Sequence, residues 1–240
     1  MPGYGLFEDS EDEFLPDSSG THDSQTLVGG APVSQEIIEK ALVRAPYLVA
    51  ADGGANTLLS AGLVPHRVIG DMDSISDAAR RAFADRLHPI AEQDSTDFAK
   101  ALRVTEASFT LAVGFGGARL DHALACLSEL ARSRAPVILL DETDCISIAP
   151  PRLHLALAPG TRVSLWPLAQ ATGHSTGLRW PIDGLVLDPV GRVGTSNEAT
   201  GPVTLMLDGG PVVLILPAAS LDDLLTGLDF DTRSPAAGQL

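Results

Sequence analysis

Up to about residue 145 the chain alternates two periodicities, and this constrains its fold more than any other feature. Short apolar runs at 26–28, 47–51, 67–69, 109–113 and 137–140 have the length of buried strands. Between them, 34–45, 56–61, 77–86, 96–107 and 121–134 carry helical spacing. Strand and helix in strict turn predict a mostly parallel sheet with helices packed on it, a Rossmann-like three-layer α/β unit. After about Ser147 the helical signal stops, and extended runs broken by Gly and Pro follow at 153–157, 162–168, 185–187, 203–207 and 212–216. These predict a small all-β sandwich. The organisation expected is an acidic, mobile lead-in over 1–25, the α/β domain over 26–145, the β-sandwich over 146–218, and a short helix with a frayed tail over 219–240.

Composition supports real cores, because 45% of the 240 residues are apolar. Net charge is −15, but Glu8, Asp9, Glu11, Asp12, Glu13, Asp17 and Asp23 precede the first basic residue, Lys40. The remaining 24 acids against 16 bases still argue against a nucleic-acid surface. An anionic ligand would need local cations or a metal. Cys126 and Cys145 are the only cysteines and show no CxxC spacing, so neither a disulfide framework nor a zinc site is expected and a reducing cytoplasm fits. No basic-then-apolar leader opens the sequence, and runs such as 212–216 are too short to span a bilayer.

In open α/β sheets, ligands gather outside the carboxyl ends of the strands. Four polar clusters fall there. Asp52-Gly-Gly-Ala-Asn56 follows the second strand; Gly53 and Gly54 would let the backbone approach a phosphate, or Asn56 could simply cap the next helix. Val68-Ile-Gly-Asp-Met-Asp-Ser74 ends the third strand. Continued extension would point Asp71 and Asp73 to one side. A cap at Asp73 or Ser74 explains one of those acids, whereas Mg²⁺ explains both. In Gln93-Asp-Ser-Thr-Asp-Phe-Ala-Lys100, Asp94 and Asp97 could form a capping box, with Lys100 one turn beyond Thr96. The fourth cluster, Gly114 to His122, carries Arg119, which can grip phosphate bidentately, and Asp121, which could cap the following helix. A GxSxG match at Gly173-His-Ser-Thr-Gly177 lacks the helix that a nucleophile elbow needs and has no later histidine, so Ser175 and Thr176 are expected to be turn residues.

In this order and at these spacings, ADGGAN, GDMDSI, QDSTDFAKAL, GGARLDH and Thr195-Ser-Asn-Glu198 closely resemble thiamine pyrophosphokinase (thiamine diphosphokinase). The resemblance runs over roughly 27–216. It implies a nucleotide-binding α/β domain followed by a β-sandwich, a homodimer, and Mg²⁺-dependent transfer of pyrophosphate from ATP to thiamine with release of AMP. His66, Ala118 and Cys126 depart from the family pattern without removing an acid. On this reading Asp71, Asp73 and Asp97 hold Mg²⁺, with Asp52 supporting them and Gly53, Gly54 and Asn56 on the nucleotide side. Arg119, Asp121 and His122 face the nucleotide, Lys100 and Arg119 supply positive charge, and Thr96 donates to phosphate. Gln93, Ser196 and Asn197 are the thiamine-side candidates; Trp180 is a weaker one, its alternative being a place in the β-domain core. The resemblance also implies that thiamine binds where one chain's α/β domain meets its partner's β-domain.

Overall fold

The computed structural model describes residues 22–230 apart from Gln93, Glu106 and Ala118. The thiamine candidate Gln93, the altered glycine position at 118, residues 1–21 of the lead-in and the tail at 231–240 therefore lie outside the described residues.

Six parallel strands build the first half. They are β1 (His22–Val28), β2 (Tyr47–Ala51), β3 (Arg67–Gly70), β4 (Leu87–Pro89), β5 (Ala107–Val113) and β6 (Val137–Leu140), in the sheet order β6-β5-β1-β2-β3-β4. Their side chains alternate between two cores, as a period of two requires. Val28, Leu48, Ala50, Val68, Leu111 and Val113 face one core, with α1 (Gln35–Leu42), α2 (Gly54–Ser60) and α3 (Asp77–Ala82) packed there. Leu27, Val49, Ala51, Ile69 and Ala112 face the other, covered by α4 (Asp97–Val104) and α5 (Leu120–Arg132).

The sheet does not stop where the sequence changes character. The change near residue 145 falls inside β7 (Asp144–Ile148), which pairs antiparallel with β6 and continues the same sheet. Beyond it come β13 (Val212–Pro217), β9 (Arg162–Pro167) and the first part of β12 (Gly194–Gly209). The second part of β12 pairs instead with β8 (Arg152–Leu155) and β10 (Ala171–Leu178), and β11 (Val186–Leu187) lies against β10. One long strand thus serves two layers, and the whole is a mixed α/β fold around a large sheet that includes parallel strands.

Two expectations need correcting. Residues 22–25 belong to β1 rather than to the lead-in, and Gln25 is buried because Thr105 and Thr110 accept its side-chain N–H groups. Ser175 and Thr176 sit in strand β10, not in a turn. The glycines disguise that strand: a Cβ on Gly177, at φ +76°, would lie 2.0 Å from the Pro202 carbonyl oxygen. The last helix, α6 (Leu221–Gly227), is bound firmly. Leu221, Leu224 and Leu225 are buried in the first core, and Arg44, just beyond the end of α1, pairs with Asp222 at 2.6 Å.

Candidate active site

The chain runs outward from β1 through β4 and then crosses to β5 on the other side of β1. Connections leave β1 and β5 in opposite directions, which opens a crevice at their carboxyl ends. A cavity of about 580 Å³ occupies it, and Asp52, Gly53, Asn56, Thr96, Asp97, Arg119 and His122 all line its wall. Gly54 lies just behind, where α2 starts so close to β1 that a Cβ would fall 1.9 Å from the Val28 carbonyl oxygen. That closeness brings the start of α2 to the cavity.

None of the expected helix caps holds. Gly53 precedes α2, so Asn56 lies inside that helix. Ser76 caps α3 and Thr96 caps α4, each accepting an N–H from three residues on. At α5 the cap position is Arg119, whose side chain makes no capping hydrogen bond. Asp71, Asp73, Asp94 and Asp121 are thus spared for other partners.

Asp71 and Asp73 do converge, but not by continued extension. Strand β3 ends at Gly70, and Met72 takes φ +67°, a left-handed turn. Carboxylate oxygens of Asp52, Asp71 and Asp73 then all lie within 4.8 Å of one another. Asp52, at φ +38°, is 3% exposed; its Oδ2 accepts the Ser74 N–H at 3.0 Å, and its buried Oδ1 has no hydrogen-bond partner among the described residues. Burial pushes its carboxyl above the usual range, the Ser74 hydrogen bonds oppose the shift, and the charges of Asp97 and Asp73 reinforce it. Hard oxygens gathered around an orphaned acceptor fit a small divalent cation such as Mg²⁺.

Lys100 lies beneath this cluster rather than facing the cavity. It is 1% exposed, and its Nζ donates to Asp97 Oδ1 at 3.1 Å and Asp71 Oδ2 at 3.3 Å. Burial alone would lower its pKa, but the hydrogen bonds and charges of Asp97 and Asp71 together raise it, so the ammonium stays charged. Arg119 is exposed and forked onto Asp121, with Nη2 to Oδ2 at 2.6 Å; this pair raises the guanidinium pKa and lowers that of the carboxyl. Burial lifts the Cys126 thiol, which also lines the cavity, to about 11, so it stays protonated.

The thiamine candidates sit elsewhere. Asn197 on β12 is buried; its Oδ1 accepts from Trp180 N at 3.1 Å and Glu198 N at 2.9 Å, and its Nδ2 donates to the Trp180 carbonyl at 2.7 Å. Ser196, at φ +60°, is exposed and donates its backbone N–H to Ser164. Trp180 is not in the core: it is 55% exposed, with the Arg179 guanidinium 5.0 Å from its ring centroid. The strand order puts eight strand-to-strand steps between β12 and β3, roughly 38 Å along the sheet at about 4.8 Å per step. Sequence reasoning missed Phe115, which lines the cavity and packs on Phe98 with ring centroids 4.5 Å apart, because its apolar side chain resembles core.

Comparison with known proteins agrees with this geometry. The family model described as thiamin pyrophosphokinase, catalytic domain, matches residues 38–139, which hold the acid cluster and most of the cavity wall. The chain is 28% identical over 204 residues to thiamine pyrophosphokinase 3 of Oryza sativa subsp. japonica, covering 69% of this chain and 76% of that protein. It is 33% identical over 113 residues to the thiamine pyrophosphokinase of Bacillus subtilis (strain 168), covering 43% of this chain and 53% of that one. Among solved structures, thiamin pyrophosphokinase from Candida albicans superposes with a TM-score of 0.71 at 15% identity, over 85% of this chain and 95% of that chain. The Geobacillus thermodenitrificans thiamin pyrophosphokinase gives 0.68 at 25% identity, over 80% and 96%. The matched segment contains the acid cluster, the solved structures share the fold, and all three comparisons point to the thiamine pyrophosphokinase family.

Proposed function

We propose that this protein is a thiamine diphosphokinase, which transfers pyrophosphate from ATP to the hydroxyl of thiamine and releases AMP. The observation that carries this reading is the convergence of Asp52, Asp71 and Asp73 around an orphaned carboxylate oxygen, beside a cavity that Arg119 lines. The hydroxyl oxygen attacks the β-phosphorus in line, the bond to the α-phosphate oxygen breaks, and the β- and γ-phosphates move together. Asp71 and Asp73, with Asp52 behind them and Asp97 alongside, would hold Mg²⁺, which supplies positive charge against the polyphosphate. Lys100 offsets the acids from below and lets them share one site. Arg119 exchanges Asp121 for phosphate, a bidentate match for either partner. Thr96 keeps its hydroxyl hydrogen for phosphate while its oxygen caps α4. Gly53 and Asn56 line the nucleotide side, together with His122.

On the thiamine side, Trp180 offers an aromatic face to a cationic heteroaromatic ligand. Asn197 fixes the backbone of Trp180 through its N–H and carbonyl, and Ser196 precedes Asn197 on β12. These groups stand too far along the sheet to reach their own chain's acids, which supports a homodimer with composite sites: residues 22–145, as a Rossmann-like three-layer unit, from one chain and the β-sandwich of 146–218 from its partner. Two free, buried cysteines fit a reducing cytoplasm, and no helix among the described residues is long and apolar enough to cross a membrane. Incubation with ATP, Mg²⁺ and thiamine tests the reading. AMP plus thiamine diphosphate is expected; ADP or inorganic phosphate formed without dependence on thiamine would point to a hydrolase, and binding without turnover to a nucleotide sensor.

A further inference from the structure

We infer that Arg80, on α3, is a positioning residue for the cation site, holding the turn that brings Asp71 and Asp73 together. The inference rests on the cation reading of the Asp52, Asp71 and Asp73 cluster. That reading has its own support in the 3%-exposed Asp52, whose Oδ1 is buried without a partner.

The turn must be held because its conformation is unfavourable. Met72 has φ +67°, in the left-handed region that a residue with a Cβ rarely adopts. Its side chain is 6% exposed and packed in the core shared with α1, α2 and α3. Its carbonyl points away to Arg80, whose Nη2 donates to it at 2.6 Å. The backbone at residue 72 is therefore gripped from two sides, by the core through the side chain and by Arg80 through the oxygen. That orientation leaves the Asp73 N–H on Asp71 Oδ1 at 3.3 Å and the two carboxylates on one side. The far end of the loop has separate anchors: Asn56 Nδ2 donates to the Ser74 carbonyl at 2.8 Å, Asn56 Oδ1 accepts from Ser76 N at 2.9 Å, and Asp52 Oδ2 accepts from Ser74 N at 3.0 Å. Without Arg80, residues 74–76 would stay fixed while the peptide between the two acids became free to turn.

This role has a sign that no purely electrostatic role shares. As a nearby positive charge, Arg80 would repel a cation, and its removal would tighten cation binding. As the clamp on Met72, its removal loosens the ligands and weakens binding. Groups that orient metal ligands from outside typically change affinity by 10–100-fold.

The test is a titration of full-length protein with Mn²⁺, with free ion followed by electron paramagnetic resonance. Arg80→Met keeps the length of the stem and removes both donors and charge; it should bind Mn²⁺ about tenfold more weakly than the unaltered protein. Arg80→Lys keeps a charged donor and should return to within about threefold. In turnover, the Mg²⁺ concentration for half-maximal rate should rise by the same factor in Arg80→Met, while KM for thiamine at saturating Mg²⁺ stays unchanged. If Arg80→Met does not fold, by circular dichroism, Arg80→Gln removes the charge and shortens the reach with the same expected outcome. Equal or tighter Mn²⁺ binding in the folded variant overturns the inference, as does an unaltered protein that binds no Mn²⁺. Weaker Mn²⁺ binding in a protein that never phosphorylates thiamine would keep the role of Arg80 and remove the proposed function.

Discussion

The acid cluster after β3 and the Asn197 patch on β12 use polar groups in opposite ways. Around Asp52 the protein is incomplete: an acceptor is buried without a partner, three carboxylates repel one another, and two non-glycine residues adopt positive φ. Around Asn197 it is nearly complete, since the amide binds both backbone groups of Trp180 and the N–H of Glu198. A site with unmet demand is organised for a ligand that meets it. A site whose demand is already met can only present what it scaffolds, here an exposed indole. On the proposed function, charge chemistry belongs to the first region and recognition of shape and aromatic character to the second.

The largest effect that could break this contrast is on turnover. Asp71→Asn or Asp73→Asn should each lower kcat by roughly 10²–10³-fold, because a charge opposing the polyphosphate is lost. Asp73 is exposed, so its thermal midpoint should move little. Near-normal activity in either variant at modest Mg²⁺ would take that residue out of the cation site.

Complementation tests whether the two regions meet across a dimer. Refolding Asp73→Asn together with Asn197→Ala, assayed at thiamine well below KM, should restore about a quarter of full activity, because one site of each mixed dimer carries both defects and the other neither. No recovery, with mixed dimers demonstrated, would mean that each site is built within one chain.

Asn197→Ala sharpens the second half of the comparison. If the amide scaffolds Trp180, its loss should leave buried backbone groups unpaired at about 1–3 kcal/mol. The midpoint would drop by several degrees and KM for thiamine would rise more than kcat falls. A variant with normal stability and a selective defect in kcat would mean that the amide touches the reacting substrate.

The smallest effect runs the other way. Asp52→Asn should raise the midpoint of the metal-free protein by about 2–4 °C, since it removes a buried, unpartnered charge and keeps the acceptor for Ser74. The sign follows from the raised carboxyl pKa. Between the ordinary carboxylate value and that raised value, the folded chain holds a proton that the unfolded chain has released, so stability contributed by this group falls as pH rises through that window. A lower midpoint for the asparagine variant would show that the charge is already satisfied.

Residue types and their periods were enough to specify the strand–helix alternation and the placement of the acids and glycines at strand ends, and the order and spacing of the motifs carried the family resemblance. Apolar alternation reports burial directly, and the acids stand out because no core explains them. What the sequence concealed were features that depend on contact between distant segments. Strand β10 has glycines where β12 comes closest, so its pattern looks like a turn. The sheet passes unbroken through residue 145 because β7 pairs with β6, a choice made by hydrogen bonding and not by composition. Asp71 and Asp73 come together, but by another geometry than expected: extension would have faced them together, whereas a left-handed Met72 does so, held by the core on one side and Arg80 on the other. Lys100 read as a cation for phosphate and proved to be the buried partner of the acids themselves. The sequence by itself determined which chemistry the chain carries, since that follows from the groups it contains. Tertiary structure alone decided which groups are left unsatisfied, because a hydrogen bond or a desolvated charge exists only once remote segments have been brought within about 3 Å.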